Sequence, residues 1–290
     1  MRLFQKDVST HGILQNLNPP SWRDHHFGLP QARWDRLKGR NFWITGAGTG
    51  YGRCIALALA AAGSRVFISG RRIEKLRETL AEGSSLGIDV SNCIPVPVDI
   101  RSEVDLVRAV RTIQQTTPSL YGLVNSGALP QSSETAFPLI GQSVAAWTDL
   151  LTTNVTGPWL TSKNALPLLG HEDEFRIIFL SSEAGWASTP GFGPYNVSKS
   201  AINTLGASLA AECVTRYPGK DIQINVLVPG EARTEMNQGS TESPYSVVNM
   251  VLVLLSHPPG GPNGRFFHRD GRHLPFAYTQ AYPQPLLDVG

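Results

Sequence analysis

Tyr195-Asn196-Val197-Ser198-Lys199 puts a phenol and an ammonium four residues apart, a spacing that brings both to one face of a helix. A cation beside a phenol favours the phenolate and draws down a pKa that starts at about 10, which suits a tyrosine for exchanging protons at neutral pH. By itself such a pair is common on protein surfaces. Ser181-Ser182 raises it above that background, because an apolar run ends there, thirteen residues before Tyr195. A hydroxyl then emerges at a strand's carboxyl edge beside the same helix.

A second cluster could bind an anion. Thr45-Gly46-Ala47-Gly48-Thr49-Gly50-Tyr51-Gly52 follows an apolar run and opens an Ala/Leu-rich stretch. As strand, turn and helix, it would converge backbone N–H groups and a positive helix end where a pyrophosphate could sit. The G-x-G-x-x-G spacing does not fit, since Tyr stands at 51 and Arg at 53, whereas Gly46-x-x-x-Gly50-x-Gly52 does. Taken alone, the glycines are equally consistent with a tight turn that needs positive φ. After the next apolar run, Ser69-Gly70-Arg71-Arg72 offers two guanidinium groups and no carboxylate. A nicotinamide site for an unphosphorylated ribose usually carries an acid there, so Arg71 and Arg72 favour the 2′-phosphate form, NADP(H) over NAD(H). The alternative is a solvated helix start, although two cations at a helix N-terminus oppose its dipole.

These groups must be positioned by regular elements, and from Arg40 onward the apolar periodicity lays them out. Strands are predicted over 42–44, 66–68, 94–98, 120–125, 176–180, 222–228 and 265–268. Helices are predicted between them, over 53–62, 73–80, 103–115, 145–169, 194–216 and 244–256. Pro95 and Pro97 place the third strand at an edge. Such steady alternation, with several strands apolar throughout, implies α/β architecture: a doubly wound parallel sheet covered on both faces, in a single domain. Its ligands would sit outside the carboxyl ends of the strands, where the strand order reverses.

Residues 1–36, with Pro19, Pro20 and Pro30, show no sustained period and read as an N-terminal arm. Residues 37–269 form the dinucleotide-binding catalytic domain. Residues 270–290, with Phe276, Tyr278, Tyr282, Pro283 and Pro285, form a C-terminal tail packed on the surface or at a subunit contact, or else a lid. Asp24-His25-His26 has no further ligands at useful spacing, so it reads as a polar loop and no metal site is assigned.

Composition narrows the function classes. The 290 residues carry 25 basic and 23 acidic side chains, a net charge of +2, and no clustered basic excess, which speaks against nucleic acid as a partner. Cys54, Cys93 and Cys213 lie far apart with no Cys-x-x-Cys pair, so neither a disulfide framework nor a zinc knuckle is written, and a reducing compartment fits. No apolar run approaches the roughly 18 residues that span a bilayer, and no membrane partner is expected. Lys6, Asp7 and His11 stand where a signal peptide needs apolar residues, so the expected location is cytoplasmic.

In this order and spacing, the motifs make the sequence similar to the short-chain dehydrogenase/reductase family, in the subgroup with a TGxxxGxG loop and a YxxxK pair. The likeness spans about 37–268. It implies a Rossmann-type fold and hydride transfer between a nicotinamide dinucleotide and a small-molecule carbonyl or secondary alcohol. It also implies catalytic roles for Asn154, Ser182, Tyr195 and Lys199. Tyr195 would donate the proton, Ser182 would hydrogen-bond the developing oxyanion, and Lys199 would lower the phenol pKa while holding the nicotinamide ribose. Asn154 would position a relay water.

The cofactor contacts implied are Gly46, Thr49, Gly50, Tyr51 and Gly52 in the glycine loop, and Arg71 and Arg72 at the ribose. Asp99 and Ile100 would lie on the adenine side and Asn125, Ser126 and Gly127 after the fourth strand. Tyr195, Lys199, Pro229, Gly230 and Thr234 would surround the nicotinamide. The family's usual Asn-Asn-Ala-Gly reads Asn125-Ser126-Gly127-Ala128 here, which keeps the first asparagine and shifts the glycine. A homodimer or homotetramer is also implied, pairing the helices 145–169 and 194–216 across a two-fold axis. Ala201, Gly206, Ala207 and Ala210 would allow close approach, or would pack on the sheet instead.

Rival readings on the same fold are an NAD(H)-linked dehydrogenase, a non-catalytic dinucleotide sensor and an epimerase or dehydratase. A sensor has no need of the tyrosine, lysine, serine and asparagine together. An epimerase would carry tighter glycine spacing. Pocket residues come from variable loops, so the substrate is not legible.

Overall fold

The structure is a computed structural model and describes residues 19–130, 138–186 and 191–275. Seven strands are β1 (Asn41–Thr45), β2 (Arg65–Ser69), β3 (Cys93–Pro95), β4 (Gly122–Asn125), β5 (Glu174–Leu180), β6 (Asp221–Val228) and β7 (Arg265–His268). All neighbours pair in parallel, in the order β3-β2-β1-β4-β5-β6-β7. This is the Rossmann-type sheet the alternation implied.

The inner strands are buried on both faces, which is why they read as unbroken apolar runs rather than as alternating ones. Phe42 and Ile44 of β1 join one core layer and Trp43 the other. On the first face lie α1 (Gly50–Ala61), α2 (Ile73–Ser85) and α7 (Val248–Leu255). On the second lie α3 (Glu103–Gln114), α5 (Gly157–Leu169) and α6 (Pro194–Arg216). The chain leaves β1 for β2 and β3 on one side and returns to β4 on the other, so the connections diverge and open a crevice above the carboxyl ends of β1 and β4.

Three expectations change in detail. The third strand stops at Pro95 rather than 98, although the N–H groups of Val96 and Val98 still donate to the carbonyls of Ile68 and Gly70, and the Val96 carbonyl accepts from the Ser69 hydroxyl at 2.7 Å. The strand does lie at the edge, where Pro95 and Pro97, out of step with those donors, turn their missing N–H outward. The helix expected over 145–169 is α4 (Val144–Leu151) and α5, joined by a wider π-helical turn over Thr152–Thr156. Pro158 has no N–H for the Asn154 carbonyl four residues earlier, and the wider turn accommodates that gap.

The third change concerns residues 19–36. They fold into short helices, Trp22–His25 and Gln31–Asp35, with His26 and Phe27 between them at φ of 46° and 51°. Turns this brief leave no readable period, yet Trp22, Phe27, Leu29 and Trp34 are buried in the core layer of α1 and α7. The Asp24-His25-His26 run is therefore part of a packed cap rather than a polar loop. His25 Nδ1 accepts from the Phe27 N–H at 2.9 Å, and His26 stacks on Trp34 at 5.0 Å.

At the amino ends of β5 and β6, the buried guanidinium of Arg176 pairs with Glu174 at 3.0 Å and Asp221 at 2.7 Å. It also donates to the carbonyls of Asp221 and His257. Arg36 and Arg40 reach the same Glu174 at 3.0 and 2.8 Å. Among the described residues, no helix is long and apolar enough to cross a membrane. Of the tail, Leu274 is buried and donates to the Phe266 carbonyl, while Phe276, Tyr278, Tyr282, Pro283 and Pro285 lie outside the described residues.

Candidate active site

At the carboxyl end of β5, Ser181 turns inward and donates to Asn203 Oδ1 at 2.6 Å. Ser182 instead hydrogen-bonds the Tyr195 phenol. Its Oγ also accepts from the Ala184 N–H at 3.2 Å, which starts a single turn over Glu183–Gly185. That turn is pressed on α6, since a Cβ added to Gly185 would lie 2.6 Å from the Lys199 carbonyl carbon. Helix α6 starts with Pro194 and buries Tyr195, Ser198, Lys199 and Ile202, the stripe at i, i+3, i+4 and i+7. Lys199 Nζ donates to the Leu180 carbonyl at 3.1 Å and stands 5.5 Å from the centre of the Tyr195 ring.

Asn154 enters from the π-helical turn. Its Oδ1 accepts from the Leu129 N–H at 2.7 Å, and its Nδ2 donates to the Leu129 carbonyl at 3.0 Å and to Ser198 Oγ at 3.2 Å. Ser198 in turn donates to the Tyr195 carbonyl at 2.8 Å. The four residues expected from sequence are thus brought together, with the asparagine side chain bracing the loop after β4 against α6.

The electrostatics depart from expectation. Lys199 was expected to draw the Tyr195 phenol down, but burial pushes the phenol up to about 12, and the hydrogen bond from Ser182 opposes only part of that. Burial also lowers the Lys199 ammonium to about 8. The reason is common to both: the same dry pocket that concentrates the pair disfavours a charge on either member.

The crevice between β1 and β4 is a groove of about 350 Å³, within the usual range for small-molecule sites. Gly46, Thr49, Gly50, Tyr51, Arg71, Arg72, Asp99, Ile100, Ser126, Gly127 and Thr234 line it. Gly52, Asn125, Pro229 and Gly230 are not part of this lining, and neither are Tyr195 and Lys199. A Cβ on Gly52 would run into the Gly46 carbonyl, and Gly230 accepts from the Tyr51 hydroxyl at 2.7 Å. Gly46, at φ 66°, meets the shifted glycine directly: a Cβ there would be 2.7 Å from the Gly127 nitrogen. Thr45 Oγ1 accepts from the N–H groups of Ser126 and Gly127 at 3.1 and 3.3 Å, tying the two loops.

A dinucleotide suits this donor set. Thr49 occupies the cap position of α1 in extended conformation without a side-chain cap bond, and the first-turn N–H groups of a helix have no partner within it. The buried Asn125 Oδ1 has no hydrogen-bond partner among the described residues, although Nδ2 donates to Ser162 at 3.1 Å. Asp99 is held below the usual carboxylate range by Arg101, which donates to both carboxyl oxygens.

Residues 40–244 match the short chain dehydrogenase family. The chain belongs to that family. It is 31% identical over 261 residues to the 2-(S)-hydroxypropyl-CoM dehydrogenase 3 of Xanthobacter autotrophicus, covering 82% of this chain and 97% of that one. It is 26% identical to the 3-oxoacyl-acyl-carrier-protein reductase FabG of Aquifex aeolicus, over 81% and 98% of the two chains. A short chain dehydrogenase of Shigella flexneri 2a, solved in complex with NADP, superposes with a TM-score of 0.72 at 25% identity, over 81% and 99% of the chains. The protein is therefore an NAD(P)-dependent short-chain dehydrogenase acting on small molecules.

Sequence reasoning missed two residues at this groove, one behind its glycine loop and one in its lining. Arg53 stood out only as the residue that spoils G-x-G-x-x-G, yet its guanidinium holds the Gly48 carbonyl, Thr79 and Glu82 and so backs the glycine loop. Glu235 pairs with Arg72 across 163 residues of chain, a separation no local motif signals.

Proposed function

We propose that this dehydrogenase moves hydride between NADP(H) and a carbonyl or secondary alcohol, with Tyr195 as the acid and base. The observation that carries the reading is the Ser182-bonded phenol of Tyr195, buried beside Lys199 at the carboxyl end of β5. The bound nicotinamide would supply or accept the hydride. In the reductive direction, Tyr195 Oη gives its proton to the carbonyl oxygen while Ser182 Oγ donates a hydrogen bond to the same oxygen. Lys199 Nζ holds the nicotinamide ribose and, when protonated, stabilises the phenolate left behind. Asn154 fixes the loop at Leu129 and positions a relay water toward Lys199. The glycine-loop N–H groups would hold the pyrophosphate, and Arg71 and Arg72 would meet the 2′-phosphate.

Tyr195→Phe keeps the ring and removes the proton. Turnover is expected to fall by about 100-fold or more while NADPH still binds in a fluorescence titration. Near-normal turnover overturns the role. Titrating the wild type with NADPH and NADH tests the cofactor preference, and equal or tighter NADH binding overturns it. Assembly as a homodimer or homotetramer would use the outer side of α6. Gly206 and Ala210 are committed to the sheet, whereas Ala201 and Ala207 stay half-buried. A mass of 31.5 kDa in light scattering would contradict assembly.

A further inference from the structure

Glu235 lies in the loop after β6, directly beyond Thr234, and its carboxylate crosses to the end of β2. Its Oε2 is 2.7 Å from Arg72 Nη2, and its Oε1 is 3.6 Å from Lys75 Nζ. All three side chains line the dinucleotide groove together with Arg71. Among the described residues Arg71 makes no ion pair, while Arg72 faces Glu235 and Lys75 is shared between Glu235 and Glu78, the latter at 2.8 Å, so the ribose end of the groove holds one unpaired guanidinium and two cations already facing acids. Arg72 holds Glu235 below the usual carboxylate range, so its negative charge persists. Sequence inspection of the β2 end finds no acid there, and the fold supplies one from a different loop.

We infer that Glu235 sets the strength of cofactor discrimination by competing with a ribose 2′-phosphate for Arg72 and Lys75. The inference rests on the groove binding a nicotinamide dinucleotide as proposed above. A phosphate approaching Arg72 must displace the carboxylate or sit beside it, and like charges at that range repel. An unphosphorylated ribose brings no such charge and meets no such penalty. The side chains of Arg72 and Glu235 are 53% and 49% exposed, so water screens the pair and the effect is a tuning rather than a block. An acid placed on β2 would be rigid, whereas one on the loop beyond β6 can swing away when phosphate binds.

The test is equilibrium binding of NADPH and of NADH to the full chain, for wild type, Glu235→Gln, the double variant Arg72→Gln/Lys75→Gln, and the triple variant that combines all three. Glu235→Gln is expected to tighten NADPH by about fivefold and NADH by less than about twofold. That gain should shrink when ionic strength is raised to about 1 M, and Glu235→Asp should restore part of the wild-type ratio. On the Arg72→Gln/Lys75→Gln background the gain from Glu235→Gln should be much smaller, because only the direct repulsion of the phosphate is then relieved. Equal changes for both dinucleotides would mean that Glu235 only shapes the loop, and weaker NADPH binding would mean that it braces the groove. Either result overturns the inference. A wild type that prefers NADH overturns the cofactor reading instead, since the inference is read from the variant relative to the wild type for NADPH.

Discussion

Arg176 and Lys199 are both buried cations of one sheet and its covering helix, at opposite ends of β5. Arg176, at the amino end, is answered by two carboxylates and by backbone carbonyls, with Arg36 and Arg40 sharing Glu174 behind it. Lys199, at the carboxyl end, has one carbonyl and a phenol ring, and no carboxylate among the described residues. A buried charge answered by opposite charges fastens the fold, while one left under-answered costs stability and is retained for chemistry. Backbone groups follow the same contrast: α1 begins without a side-chain cap at the groove, whereas Ser102 caps α3 away from it.

Removing a partner at the answered end should have the largest effect. Arg176→Met takes the buried cation from between Asp221 and Glu174 and leaves the carbonyls of Asp221 and His257 without their donor, and a loss of about 3 kcal/mol is expected, a fall of roughly 6–12 °C in Tm. Calorimetry of the full chain checks this, and an unchanged Tm would erase the contrast. Lys199→Met should do the reverse at the other end. Turnover falls by about 100-fold or more, yet stability at pH 7 rises by about 1–3 kcal/mol, because a buried cation is gone.

The pH trace of that gain sharpens the point. Lys199 has a folded pKa of about 8, below its unfolded value of 10.5. Between those values the unfolded chain binds more protons, so wild-type stability rises with pH through that window. The stabilisation of Lys199→Met should therefore be full below pH 8 and fade toward pH 10.5. A gain independent of pH in denaturant melts would point to packing rather than charge. The smallest expected change is Gly46→Ala, where the added Cβ meets the Gly127 backbone and φ is 66°. Dinucleotide affinity should drop by about tenfold, with little change in secondary structure by circular dichroism.

The sheet was legible because its inner strands are apolar throughout and alternate with longer segments bounded by glycine and proline; Pro194–Arg216 and Arg265–His268 begin and end where the sequence placed them. Tyr195, Lys199 and Ser182 were legible because spacing on one helix and one strand end is a local property. The directions of the Tyr195 and Lys199 pKa shifts were not, since both follow from burial, which sequence spacing does not report. Glu235 was hidden for a related reason, as its partner lies across the groove. Trp22, Phe27 and Trp34 were hidden because each sits in a turn too brief to show a period.

Those aromatic residues have a consequence for how the chain comes together. Phe27 stacks on Tyr245 at 6.0 Å, and the Arg33 side chain bonds the Val253 carbonyl, 220 residues away. The first described segment to leave the ribosome is thus covered by one of the last. At about 5–20 residues per second, the interval is roughly 11–44 s. For that time Trp22, Phe27 and Trp34 lack their cover, so the nascent chain carries a sticky aromatic patch and gains cooperativity only when Val248–Leu255 arrives.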